Sequence, residues 1–546
     1  MTYLLHHLLS ESAATYPDKT ALVCKDESMT YAELDRESER LANGLAALGV
    51  ERGARVGILM DRSLASVVAV FGILKSGAAY VPVDPACPMA RLNYIVEKCG
   101  VTALLTMRKS LASVARAFPE GSPLQSVIAI DGLESTADAV GEARIVDWPN
   151  IRTEQSAEPR REVGVDLDLA YILFTSGSTG NPKGVMLSHL NSLTFVKTAR
   201  DFFHIGSNDR LSNVCPLHFD MSVFDLFVAI SSGATVVIVP ETTTMFPVKL
   251  AEAIARHKIT VWNSVPSTLA LLATYRGLTD HDLAGLRLIL FAGEVFPLKY
   301  LRRLRDAIPG ARFCNMYGQT EANSSTYFWI DDLSGDSGAE VPIGRPLPNF
   351  DVFALDENGR PITGPGREGE LYVRGSTVAS GYWGEPDQTA QSFVQNPLEP
   401  GSRERVYRTG DLVRLDADGN YLFVGRKDQM IKSRGYRVEI AEIEATLARH
   451  HGIQQAVVIP VPDEIVGHRI STIVVPVTAG ALSKEDVLKH CRAHLPKYMV
   501  PEVVEFRDSL PATSSGKVDR KRLTDERVAA ARKSDTPGRP KLAPAV

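Results

Sequence analysis

Nothing in this chain is apolar enough for long enough, or charged strongly enough in one direction, to place it in a membrane or on nucleic acid. No apolar run reaches the roughly 20 residues that a bilayer-spanning helix needs. The opening stretch, MTYLLHHLLSESAATYPDK, has neither a basic start nor a cleavage site. The net charge is only -5, from 60 Lys and Arg against 65 Asp and Glu, so there is no electrostatic footprint for a polyanion. Cysteine is scarce: Cys24, Cys87, Cys99, Cys215, Cys314 and Cys491 form no CxxC pair and no cluster with histidine. That leaves neither a disulfide framework nor a zinc site, and the expectation is reduced, mostly buried thiols. A cytoplasmic protein follows, with no nucleic acid and no membrane among its partners.

The chain does have length and alternation. At 546 residues with 44% hydrophobic content, it is too long for one ordinary core, so two or more domains are expected. Short β-rich runs, RVGILM, AAYVPVD, TALLTM, SVIAI, TVVIVP, TVWNSV and LRLILFAG, are separated by helical stretches such as YAELDRESERLANGLAALG and KYLRRLRDAIPG. This pattern predicts an α/β fold with largely parallel sheets. From about residue 340 the texture turns to strands punctuated by Gly and Pro, as in GRPLPNFDVFALDENGRPITGPGREGELYVRG, which predicts an additional β-rich subdomain. After GRKDQMIKSRGYRVE, an alternation of helix and strand predicts a small α+β lobe. The expected division is 1–427, 428–530 and a frayed tail, 531–546, rich in Pro and charge.

One segment cannot build a core. In FTSGSTGNPKG, Phe174 to Gly184, three residues are Gly, four are Ser or Thr and one is Lys. Glycines admit close backbone approach, hydroxyls and main-chain N–H groups donate to phosphate oxygens, and Lys183 adds charge, a composition suited to a polyphosphate. It fits neither the Walker A spacing nor the dinucleotide fingerprint. A flexible linker has the same composition.

The segment resembles the phosphate loop of the acyl- and aminoacyl-adenylate-forming superfamily. Further motifs of that superfamily follow in order along nearly the whole chain: MTYAEL (29–34), LKSGAAYVPVDP (74–85), HFDMSVFDLF (218–227), NMYGQTEAN (315–323), GELYVRGSTVASGYW (369–383), YRTGDL (407–412), GRKDQMIKSRGYRVEIAEIE (425–444), LPKYMVP (495–501) and SSGKVDR (514–520). The resemblance is strongest to free-standing adenylation enzymes of nonribosomal peptide synthesis. It implies a large N-terminal core and a small mobile C-terminal lobe turning about Asp428. It also implies ATP and Mg²⁺, an acyl-adenylate intermediate, and a phosphopantetheinylated carrier protein in trans as thiol acceptor.

Residue by residue, the resemblance makes Lys517 the catalytic lysine, Thr320 an α-phosphate contact and Glu321 the Mg²⁺ ligand. Thr175, Ser176, Gly177, Ser178, Thr179, Gly180 and Lys183 would hold the ATP phosphates. Gly293, Glu294, Val295, Asn315, Met316, Tyr317 and Gly318 would flank the adenine, with Asp411 on the ribose hydroxyls and Arg426 beside it. One position departs from the family pattern: Gln319 replaces the usual Pro of Tyr-Gly-Pro-Thr-Glu, which removes a φ restraint and predicts altered loop stiffness without loss of activity.

For the substrate, Asp220 matches the residue that pairs with the ammonium of an amino acid; the competing reading is a helix N-cap for SVFDLF. A buried carboxylate needs a cationic partner, which a fatty acid lacks. Met221, Phe224, Ser267, Leu290, Ala292, Met316, Ser324 and Ser325 would complete a neutral lining, so a neutral amino acid is expected, small, proline-like or a β-amino acid. An acyl- or aryl-CoA ligase is the alternative enzyme, and a catalytically silent module on the same fold is the alternative of another class.

Overall fold

The computed structural model describes residues 2–118, 121–133, 139–140, 142–159, 164–177, 180–331, 340–428, 430–478, 480–511 and 518–534. The expected sites Ser178, Thr179 and Lys517 lie outside the described residues. By its internal contacts the chain divides into two units, Met1–Thr175 with Pro182–Asp428, and Ser176–Asn181 with Gln429–Val546.

The first unit is built on two large sheets, and the β-rich runs of the sequence supply their centres. One sheet runs in the order Gly381–Tyr382, Lys183–Ser188, Leu169–Thr175, Ala79–Pro82, Arg55–Leu59, Ala103–Thr106, Ser126–Ala129, Ala143–Asp147 and Ala139–Val140. The other runs Arg345–Pro346, Asn323–Trp329, Arg312–Gln319, Leu288–Ala292, Val261–Ser264, Arg210–Asn213, Thr235–Ile238, Thr20–Cys24 and Glu27–Thr30. The middle strands of both are parallel and buried on every residue in several cases, as at Leu288–Ala292 and Ala103–Thr106. Covered parallel strands read as continuous apolar runs rather than alternating ones, and these did.

Helices start where the sequence supplies caps. Thr30 and Glu33 form a capping box for Tyr31–Ala47, and Ser188 with Asn191 does the same for His189–Phe202. A smaller antiparallel sheet of Asp351–Leu355, Glu368–Arg374, Arg405–Leu415, Phe393–Gln395 and Tyr421–Arg426 forms the expected β-rich part.

In the second unit a hairpin, Met430–Ser433 with Tyr436–Glu439, precedes a sheet of Ile453–Asp463, Gly467–Pro476 and Val503–Phe506. Helices Ile440–Ala448 and Lys484–His494 pack on a core that includes Val438, Ile443, Val458, Val474 and Cys491. The loop residues Ser176 and Gly177 belong here: Ser176 Oγ donates to the Arg437 carbonyl at 2.8 Å and the Gly177 N–H to Glu442 at 3.2 Å. Among the described residues no helix is long and apolar enough to cross a membrane, and all six cysteines are free, five of them buried.

Candidate active site

The motif HFDMSVFDLF ends a loop and enters a π-helical turn, Phe224–Val228, whose five residues are all buried. One extra residue per turn is uncommon and recurs at functional sites. Phe227 is held there edge-on to Phe71 at 5.6 Å. The turn lies over one face of the second large sheet, and the strand register explains which residues meet it. Asn263 stands opposite Leu290, and Ala292 opposite Met316; Leu290 and Ala292, two apart, share a face. A cavity of about 20 Å³ is lined there by Asp220, Met221, Phe224, Leu290, Ala292, Met316 and Ser324, together with Phe195, Asn263 and Asn323. It holds little more than one water-sized group.

Two expected members stand elsewhere. The Ser267 N–H donates to Glu294 at 3.0 Å at the start of helix Pro266–Thr274. Ser325 is fully buried, its hydroxyl donating to the Asn323 carbonyl at 3.1 Å. The cause is local. Adjacent residues of strand Asn323–Trp329 point to opposite faces, and Ser325 is the extra residue where the register shifts between the pairs Tyr317–Thr326 and Gly318–Ser324, so that Ser324 lines the cavity and Ser325 does not. The tight approach of this hairpin also explains Gly318: a Cβ there would sit 1.9 Å from the Asn323 carbonyl oxygen. Gly318→Ala is expected to lower the melting temperature, at a cost of about 1–3 kcal/mol or more from overpacking, and to weaken amino acid binding; an unchanged melting curve would refute this account.

Asp220 is half-buried and accepts a hydrogen bond from Thr320 Oγ1 at 2.9 Å, which brings the expected amine ligand and the expected α-phosphate contact together. Next in chain, Glu321 is wholly buried. Tyr382 OH donates to its Oε1 at 2.7 Å, Lys183 Nζ lies 3.5 Å from the same oxygen, and Lys183 also donates to Tyr382 OH at 2.9 Å. Lys183 gets there because strand Lys183–Ser188 pairs with Gly381–Tyr382. Sequence reasoning named Lys183 and Glu321 but not Tyr382, which lies in the quoted motif GELYVRGSTVASGYW.

A second cluster gathers around Asp411, which is 3% exposed. Tyr317 OH and Arg426 both donate to its carboxylate. Gln319 Nε2 donates to Asp411 and to Tyr317 OH, each at 2.6 Å. The departure from the family pattern at 319 thus acts through a side chain as well as through the backbone, because the amide occupies the carboxylate expected on the ribose. Burial pushes the Tyr317 phenol well above its usual range, with Asp411 beside it adding to the shift, so its hydroxyl remains a donor. Arg426 also grips Asp428, Nε to Oδ1 at 2.6 Å, tying the expected hinge residue to the same cluster. Of the expected adenine-flanking residues, Asn315 is buried and donates to the Pro342 carbonyl at 2.8 Å, whereas Val295 is 68% exposed.

Behind the cavity is Asp225, fully buried. Asn263 Nδ2 donates to its Oδ1 at 2.8 Å and Asn213 Nδ2 to its Oδ2 at 3.2 Å. Burial pushes its carboxyl up to about 7, with the two amides pulling the other way. Neither asparagine was singled out from sequence, although a polar residue inside the apolar strand TVWNSV is a signal, since a buried amide needs partners.

Residues 9–383 match the AMP-binding enzyme family, and residues 442–517 match the AMP-binding enzyme C-terminal domain. The chain is 38% identical over 517 residues to an L-proline--[L-prolyl-carrier protein] ligase of Pseudomonas fluorescens, covering 95% of this chain and 98% of that one. A protein of the same description from Streptomyces coelicolor is 37% identical, covering 94% of each. Among solved structures, the Vibrio cholerae adenylation domain AlmE in complex with glycyl-adenosine-5'-phosphate superposes with a TM-score of 0.81 at 25% identity, covering 97% of this chain and 98% of that one. With its two motif clusters assembled on this fold, the chain belongs to the AMP-binding enzyme family and is an AMP-forming adenylation enzyme.

Proposed function

We propose that this enzyme activates a small neutral amino acid, proline or a proline-like one, and passes it to the phosphopantetheine thiol of a separate carrier protein. The observation that carries the reading is Asp220, a carboxylate opening on a small cavity whose other lining groups are neutral. It calls for one cation, the ammonium, and an uncharged side chain on the substrate. The proline–carrier protein ligases named above point to the same class.

The substrate carboxylate attacks the α-phosphorus of ATP; the new O–P bond forms as the bond to the β-phosphate oxygen breaks, and pyrophosphate leaves with the electron pair. The carrier thiol then attacks the acyl carbon and AMP leaves. Asp220 fixes the amine end so that the carboxylate is presented in one orientation, which converts binding energy into positioning. In this reading Thr320 and Lys183 serve the phosphates, Asp411 serves the ribose, and Lys517 stabilises the oxygens on which charge builds up. The C-terminal unit turns about Asp428 between the two half-reactions.

The residues present suit Mg²⁺ held mainly by nucleotide oxygens: Glu321 is a carboxylate beside Thr320, and among the described residues no cluster of three His, Cys, Asp or Glu could hold a metal alone. Mg²⁺ bound there would neutralise phosphate charge.

Pyrophosphate exchange over a panel of neutral amino acids, β-amino acids, fatty acids and aryl acids tests the reading. Exchange with proline-like amino acids and loading of a carrier protein are expected. Exchange with fatty or aryl acids, and thioester formation on CoA, would replace it by the CoA-ligase alternative. Lys183→Ala is expected to raise KM for ATP or lower kcat, and unchanged ATP kinetics would remove Lys183 from the mechanism.

A further inference from the structure

We propose that Tyr382 is the positioning residue for the two charged groups on the nucleotide side of the site. Its hydroxyl holds the Glu321 carboxylate in place for Mg²⁺ and keeps the Lys183 ammonium from closing on it. The inference rests on the reading above, which gives Glu321 to Mg²⁺ and Lys183 to the phosphates, and adds the group that sets their geometry.

The segment that ends at Tyr382 is fixed from several sides. Strand Lys183–Ser188 pairs with it, Val185 opposite Tyr382. The N–H groups of Ser380 and Trp383 donate to the Met186 and Gly184 carbonyls at 3.0 and 2.8 Å. The Tyr382 N–H donates to Thr389 Oγ1 at 2.9 Å, and its buried ring stands edge-on to Phe393 at 5.3 Å. The Ala379 N–H donates to the Glu321 carbonyl at 2.8 Å. One short segment therefore grips Glu321 twice, by its backbone through Ala379 and by its carboxylate through Tyr382. A phenol held so firmly is a fixed reference for two longer side chains.

Chemistry sets the direction of both hydroxyl bonds. An ionised carboxylate only accepts and an ammonium only donates. The single Tyr382 proton therefore goes to Glu321 Oε1, at 2.7 Å, and the phenol oxygen accepts from Lys183 Nζ, at 2.9 Å. Lys183 Nζ stands 3.5 Å from the same Oε1 and 4.1 Å from the ring centroid, so the phenol takes up the ammonium through its oxygen and its face together. A buried ion pair in direct contact is costly to separate. With the phenol between the partners, Lys183 is able to leave for a phosphate oxygen while Tyr382 goes on holding the carboxylate. Without the hydroxyl, the ammonium closes on the oxygen it now stands off, and the carboxylate loses a charge-assisted donor that orients it.

The test is calorimetric titration of the full-length enzyme with ATP, once in Mg²⁺ and once in EDTA. The ratio of the Kd in EDTA to the Kd in Mg²⁺ measures what the metal adds. Tyr382→Phe keeps the ring against Phe393 and removes one oxygen; it should lower that ratio at least fivefold. Equal weakening of ATP binding in both solutions would leave the ratio unchanged, would mean that the hydroxyl serves only packing or Lys183, and would overturn the proposal. If Tyr382→Phe is too unstable for calorimetry, the rise in melting temperature that Mg²⁺ adds to that of ATP alone reads the same quantity, and a rise equal to the native one overturns it.

Because Tyr382 is assigned a role through Glu321, the two substitutions should not add. In a Glu321→Gln background, Tyr382→Phe should change the ratio by less than twofold, and a fivefold fall there as well would overturn the proposal. Glu321→Gln by itself separates the two levels of failure. If it leaves the ratio at the native value, the Mg²⁺ role of Glu321 fails and takes this inference with it. If it lowers the ratio and Tyr382→Phe does not, the inference alone fails.

Discussion

Asp220→Ala should lose about 3–5 kcal/mol in kcat/KM for the amino acid, the cost of leaving a charge unpaired in a dehydrated pocket. KM for ATP should hardly move. The reason for so large an effect is that the other lining groups are neutral, so nothing else can take over the ammonium. Deaminated analogues with the same carbon skeleton make the complementary measurement. With the native enzyme they should be poor substrates, because they leave the Asp220 carboxylate facing an apolar ligand. With the variant they should lose far less. Normal kinetics of Asp220→Ala with amino acids would remove the amine-binding role, and the N-cap reading of Asp220 would take its place.

Lys517→Ala should reduce adenylation by roughly 2–4 kcal/mol of transition-state stabilisation, the range seen for single contacts to developing oxyanions. The thioester-forming step, started from the preformed aminoacyl-adenylate, should be much less affected, since the proposed turn about Asp428 withdraws the lysine beforehand. Single-turnover measurements of the two half-reactions separate the effects. Equal losses in both would mean that the substitution damages the fold and that the role given to Lys517 is wrong.

Most of the architecture was legible because parallel strands covered on both faces leave unbroken apolar runs, and runs such as LRLILFAG stand out from their surroundings. The helix starts at Thr30 and Ser188 were local too, being written in four-residue caps. The site was legible only where a residue carries its role in its own motif. Asp220 and Thr320 were named separately, but the bond between them spans 100 positions, and no local pattern records it. Gln319 was noticed for the proline it replaces, yet its consequence lies 92 residues away at Asp411. Ser267 and Ser325 were expected in the lining because the motif supplies spacing but neither the helix start that directs the Ser267 N–H to Glu294 nor the register shift that leaves Ser325 unpaired. Asn263 was passed over because it sits inside a strand that reads as core.

The hydrogen bond from Thr320 to Asp220 has a thermodynamic consequence for the order in which substrates are held. A threonine hydroxyl has one proton to give, and here it is given to Asp220. With the roles proposed for both residues, an arriving ammonium supplies Asp220 with new donors and releases that proton for a phosphate oxygen. The amino acid thereby improves the site for nucleotide. By reciprocity the nucleotide, in drawing the Thr320 hydroxyl away, improves the site for the amine by the same factor. With these proposed roles the shared proton would make the two binding equilibria cooperative, and a dissociation constant for either substrate would have meaning only with the concentration of the other stated beside it.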